Sequence, residues 1–186
     1  MDVLSAIYSR RSQGKVKPDP LSRSLVEKLL TAAVQAPNHF KVRPWRFVVL
    51  TGAGLDKFGD QLAANFKARF PEVAPEAVEK ERQKAFRSPL IIVVGVDQPV
   101  EPRVNEVENI AAVSAACQNI LLAATALGLA SVWRTGDTAR DPEIKKFFGF
   151  APDQHLLGFL YIGIPEQTTA EGVERPSFED RTTWME

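Results

Sequence analysis

The sequence predicts an α+β sandwich, with one buried mixed sheet flanked by helices in a single domain. Three observations carry that prediction. Leu90–Val96 (LIIVVGV) is an unbroken apolar run, as expected of a strand covered on both faces. Stretches with apolar residues at helical spacing alternate with short aromatic and β-branched runs along the chain. At 186 residues, with 45% apolar and 25% charged residues, the chain fits one domain with a substantial core.

The elements follow in order. Residues 2–9 form a short helix. Leu25, Val26, Leu29, Leu30, Ala33 and Val34 place an amphipathic helix over 24–35, with Ser24 and Glu27 as its capping box and Pro37 as its stop. Trp45–Leu50 (WRFVVL) is a strand. Residues 55–70 return to helical periodicity, and 75–86 form a charged helix exposed on most of its surface. The longest helix covers 104–127. Its second half, from residue 111, carries almost no charge, so it belongs in the domain centre or in a subunit interface. Strands over 130–133 and 156–164 bracket a helix over 142–148. Residues 165–186 are polar and lack periodicity but carry Phe178 and Trp184, so they form an arm lying on the domain or on a partner subunit. The whole of 1–186 is one domain.

Composition excludes several functions. Lys plus Arg and Asp plus Glu both number 23, so no basic excess favours nucleic acid as a partner. One cysteine, Cys117, can form neither an internal disulfide nor a thiolate zinc site. It reads as a small core residue. With His39 and His155 the only histidines and no His-Glu-x-x-His pattern, no metal site is expected. The N-terminus lacks a basic leader followed by an apolar stretch. The longest mostly apolar segment, 120–133, falls short of the roughly 20 residues a membrane span needs. A cytoplasmic protein with no membrane association is expected.

Familiar nucleotide and hydrolase motifs fail. Gly52-Ala53-Gly54 lies between a strand and a helix, but Lys57 occupies the place of the third glycine in a dinucleotide fingerprint. No P-loop and no Gly-x-Ser-x-Gly elbow is present. Four segments remain, each with a structural reading beside a functional one. Arg10-Arg11-Ser12 suits a phosphate dianion, or else complements the dipole at a helix C-terminus. The loop from Asn38 through His39, Phe40, Lys41, Val42 and Arg43 to Pro44 offers donors to a planar heterocycle, or simply joins a helix to a strand. Trp133-Arg134-Thr135-Gly136 ends a strand, where ligands often bind and where Gly136 permits close approach, or is a buried Trp before a turn. Ala123, Ala124, Thr125, Ala126, Leu127 and Gly128 form a small-residue stretch that helix packing also explains.

Taken together and in this order, these segments resemble the nitroreductase family of flavin enzymes, in particular its short subgroup with a Trp-Arg-Ser/Thr-Gly signature. The resemblance extends from residue 1 to about 165. It implies a dimeric sandwich whose sheet is mixed but mainly antiparallel. It implies FMN at the homodimer interface, with NADH or NADPH as donor and a small-molecule acceptor, nitroaromatic, quinone-like or related, reduced by ping-pong hydride transfer. No side chain is then required as a catalytic group. Arg10, Arg11 and Ser12 would hold the FMN phosphate and ribityl chain. His39 and Arg43 would approach the flavin edge, from the neighbouring subunit. Trp133, Arg134, Thr135 and Gly136 would line the isoalloxazine. Residues Ala123 to Gly128 correspond to a segment linked to nicotinamide nucleotide binding. Lys41 and Arg43 stand where many members carry Asn and Gln, and a cation there would stabilise an anionic reduced flavin. Arg181 is, by charge alone, a candidate for the basic residue many members use near the C-terminus. The alternative is a flavin-binding or flavin-storing regulatory dimer without general reductase activity.

Overall fold

The structure, a computed structural model, describes residues 1–167 and 175–185. Four strands make the sheet: β1 (Trp45–Leu50), β2 (Leu90–Val96), β3 (Ala130–Arg134) and β4 (His155–Gly163), in the order β1-β2-β4-β3. All three pairings are antiparallel, and among the described residues the parallel component is one isolated bridge between Ser12 and Ser131. β2 lies in the interior and every one of its residues is buried, as its continuous apolar run predicts.

Side-chain alternation along β2 divides the core in two. Leu90, Ile92, Val94 and Val96 face α2 (Arg23–Ala33) and α5 (Glu106–Ala126), meeting Leu29, Val113, Cys117 and Ile120. Ile91 and Val93 face the other way, toward Leu55, Phe58 and Leu62 of α3 (Ala53–Arg69) and Ile144 of α7 (Pro142–Phe147). The molecule is therefore a three-layer sandwich. α1 (Val3–Ser9) packs on α5, α4 (Pro75–Arg82) packs on α3, and α6 (Asp137–Arg140) lies over β4.

Several details differ from expectation. The cap of α2 is Ser22, whose hydroxyl accepts from Leu25 N–H, and Glu27 pairs with Arg23 at 2.8 Å instead of closing a box with Ser24. The charged helix ends at Arg82 and tightens into a 3-10 turn over Gln83–Phe86. α6 was not expected, since four residues carry no readable period. α5 is long and apolar enough to cross a membrane by length and composition, a property the 120–133 segment did not reveal. Here it is a core helix, with Ala116, Cys117 and Ile120 fully buried between α2 and the sheet.

Residues 165–167 follow β4 and pair with the N-terminal segment: Val16 bridges Pro165, and Lys17 N–H donates to Ile164 O at 2.8 Å. Of the expected arm, residues 168–174 and 186 lie outside the described residues. In the remainder, Phe178 and Trp184 are exposed and so do not pack on their own domain.

Candidate functional site

The segment after α1 is laid against the sheet edge. Beyond the Ser12–Ser131 bridge, Gln13 N–H donates to Ser131 O at 3.0 Å. A side chain at Gly14 would meet Arg134 Nη2 at 3.4 Å, so the absence of one lets that guanidinium lie close. The structure thus brings Arg10–Gly14 and the end of β3 into one place.

The two arginines there have different jobs. Arg11 Nη1 donates to Tyr8 O at 2.6 Å and Arg10 O at 3.0 Å, which caps the carbonyl end of α1. The structural reading of that residue is therefore realised. Arg10 is half-buried, and its acidity is raised first by burial and then by the positive charges of Arg175 and Arg11. Among the described residues no carboxylate pairs with Arg10, so cationic charge gathers without a counter-ion, the arrangement an anion relieves. Arg175 is the functional candidate that sequence reasoning missed. Arg181, the candidate by charge, instead pairs with its neighbour Asp180 at 3.2 Å and is exposed. The arm has no periodicity, so no signal along it singles out Arg175.

Trp133 is placed by a defect in β4. Val94 pairs with Gly158 and Gly95 with Leu156, so Leu157 is an extra, unpaired residue and the strand bulges. The freed Leu157 carbonyl accepts from Trp133 Nε1 at 3.1 Å. Gly158, at φ +138°, makes room for this: a Cβ there would sit 2.3 Å from Arg134 O and 2.8 Å from Trp133 Nε1. A glycine inside an apolar strand is the sequence signal for such a bulge. The Arg134 guanidinium lies 5.6 Å from the centre of the Tyr161 ring. Thr135 and Gly136 turn into α6 and line a cavity of about 360 Å³.

The His39 loop lies elsewhere in the same chain. His39 Nδ1 is 3.0 Å from Glu108 Oε1, in the first turn of α5. Phe40 is held between the His39 ring, 4.3 Å away, and the Arg103 guanidinium, 3.8 Å from its centre. Phe40, Lys41 and Arg43 have φ of 47°, 55° and 52°, a left-handed conformation costly for residues with side chains. The Asn38 side chain accepts Arg43 N–H at 2.8 Å and helps hold it. Lys41 and Arg43 are exposed, and their side chains pair with no carboxylate among the described residues. Within one chain no described hydrogen bond or ion pair joins this loop to the Arg10 and Trp133 group.

The Ala123 to Gly128 segment is the end of α5. Ala124 is fully buried, Gly128 N–H donates to Thr125 O at 3.0 Å, and Leu129 N–H donates to Ala124 O at 2.8 Å. With Gly128 at φ +74°, this is a Schellman cap, so packing and capping account for these residues.

The sequence model of the Nitroreductase family matches residues 7–164. The chain belongs to the nitroreductase family. Among its relatives in that family is the Escherichia coli (strain K12) protein YdjA, named a candidate NAD(P)H nitroreductase. It is 30% identical over 177 residues, covering 95% of each chain. YfhC of Bacillus subtilis (strain 168), named likewise, is 28% identical over 180 residues, covering 96% of this chain and 92% of its own. The nitroreductase-like family protein of Bacillus cereus superimposes with a TM-score of 0.84 at 26% identity, over 100% of this chain and 97% of its own. A Desulfovibrio desulfuricans candidate nitroreductase in complex with FMN matches with a TM-score of 0.72 at 28% identity, over 95% and 92% of the two chains. The nitroreductase sandwich expected from the resemblance is thus the fold of this chain.

Proposed function

We propose that this nitroreductase-family chain is an FMN-dependent NAD(P)H oxidoreductase, working as a homodimer that reduces nitroaromatic, quinone-like or related small molecules in a ping-pong cycle. The observation that carries the reading is half-buried Arg10, set beside the cations Arg11 and Arg175 at the Ser12–Ser131 junction and paired with no carboxylate among the described residues. The residues present fit a flavin phosphate. Two buried polar atoms without a partner among the described residues, Arg11 Nε and Ser131 Oγ, lie in the two segments that this bridge joins. Two of the relatives named above are themselves named for NAD(P)H, and one solved relative holds FMN.

The flavin, when bound, supplies the redox chemistry, taking a hydride from the donor and passing two electrons to the acceptor. The chain binds and orients. Arg10 and Arg175 neutralise the phosphate, while Ser12 offers a hydroxyl donor. Trp133, fixed by its bond to the Leu157 carbonyl, would set the position of the Thr135–Gly136 turn toward the flavin ring. The His39 loop of a second subunit would bring Lys41 and Arg43 toward the flavin edge, a reading supported by the separation of this loop from the Arg10 group within one chain. Apolar residues left in water support the dimer: Val3, Leu4, Ile7 and Tyr8 on α1, with Phe178 and Trp184 on the arm. A cytoplasmic location belongs to the same reading.

The decisive experiment is the absorbance spectrum of the purified protein, with mass identification of what heat releases. Stopped-flow mixing with NADH and NADPH follows. A yellow protein that yields FMN and bleaches with either donor is the expected result. A protein that stays colourless after incubation with FMN overturns the reading. One that holds FMN but is not reduced is a flavin-storing dimer.

A further inference from the structure

The cavity beside the Thr135–Gly136 turn is asymmetric in charge. Arg140 and Lys145 stand on its wall, half-buried Leu157 gives it apolar surface, and no acidic residue lines it among the described residues. Lys145 is half-buried, and its Nζ donates to Pro152 O at 3.1 Å, which satisfies one donor and leaves the charge uncancelled. The acid nearest Arg140 is Asp137 at 3.9 Å. Both are strongly exposed, so that pair is weak. His155 also lines the cavity, but its Nε2 is engaged by Glu106 at 2.7 Å. At about 360 Å³ the space matches a small organic ligand.

We propose that this cavity selects electron acceptors carrying a negative charge. The ligand class is a small aromatic ring bearing a carboxylate or sulfonate, with the ring against Leu157 and the acid group on Arg140 and Lys145. The inference rests on the reading of Thr135–Gly136 as the flavin-facing turn. It goes further by naming the acceptor chemistry and the residues that discriminate. At low salt, half-buried Lys145 and exposed Arg140 together give a charged acceptor an advantage of up to about tenfold over its neutral isostere.

The test compares 4-nitrobenzoate with 4-nitrobenzyl alcohol as acceptors for the holoenzyme, by the ratio of their kcat/KM values. The wild type is expected to prefer the anion about tenfold at low salt, with the preference lost near about 0.5 M salt. R140E should abolish or reverse it, and K145M should reduce it. Equal use of the two acceptors by the wild type, or a ratio unchanged in both variants, overturns the proposal. So does a rise in the KM for NADH or NADPH in R140E with the acceptor ratio intact, because the charge then serves the donor's phosphates. Titration of 4-nitrobenzoate into flavin-free protein by ligand-observed NMR gives a second readout, with a weaker Kd expected in R140E and R140Q. If the protein takes up no FMN, the functional reading fails, while an unchanged Kd in this titration separately overturns the cavity assignment.

Discussion

Glu108 and His39 tie the loop ahead of β1 to the start of α5. Glu108 Oε1 lies 3.0 Å from His39 Nδ1, while its Oε2 accepts Asn105 N–H at 2.7 Å. A carboxylate only accepts, so Nδ1 carries the proton, and one side chain both closes the helix and anchors the loop. These contacts, the Asn105 backbone bond first and the His39 bond second, hold the Glu108 carboxyl below its ordinary 4.5.

That shift has a sign. A carboxyl with a depressed folded pKa contributes stability above its unfolded value, and the contribution is lost as pH falls through the folded value. Urea midpoints of the wild type and E108Q should therefore differ near neutrality and converge in acid below 4.5. A constant gap across that range would show that Glu108 acts through packing alone.

R10A and R175A should each weaken FMN retention by about tenfold or more, the worth of one charge-assisted contact to phosphate. R181A, which loses only an exposed pair with Asp180, should retain flavin like the wild type. Flavin-to-protein absorbance ratios after gel filtration report this directly. If R181A loses flavin and R175A does not, the assignment of the C-terminal arginine is reversed.

Gly158→Ala should disturb β3 through β4. The new methyl would meet Arg134 O and Trp133 Nε1 at a backbone angle that alanine rarely adopts, at a cost on the order of 3 kcal/mol. The expected result is a lower Tm together with a changed Trp133 emission, since the indole bond to Leu157 O is displaced. An unchanged Tm would mean that the bulge yields easily.

Cys117 is fully buried, and burial pushes its thiol up to about 12. In the folded protein it should resist a thiol reagent at pH 8 and react only on unfolding. C117A should keep its flavin, whereas C117S should be less stable by about 1–3 kcal/mol if the hydroxyl finds no partner. Rapid labelling of the native protein would refute the core assignment.

How much of this was legible depended on the range over which each signal acts. LIIVVGV and WRFVVL announce strands because burial on one or two faces is written locally, as composition. The α5 helix was equally plain, although its apolar length was underestimated. The cap of α2 was misplaced by two residues because Ser22 and Ser24 are chemically equivalent, and Arg23 claims Glu27. For Arg10-Arg11 the structural reading holds at Arg11, which caps α1, while Arg10 pairs with no carboxylate among the described residues. Arg175 could not be read at all, since only the folded chain brings it to Arg10. The left-handed run at Phe40, Lys41 and Arg43 was equally hidden, because tertiary contacts to Glu108 and Arg103 impose it against local preference.

The bridges Ser12–Ser131 and Val16–Pro165 join segments from opposite ends of the chain. Such closures are slow, because the loop entropy is lost before any contact compensates it. The N-terminal strip docks on β3 and on the segment just after β4, so the contacts that hold it need both of those distant segments in place. Its amides, held by few bonds at a sheet edge, should exchange with solvent well before those of β2. An anion bound at Arg10 would act as a latch on that strip, slowing its release from the sheet edge.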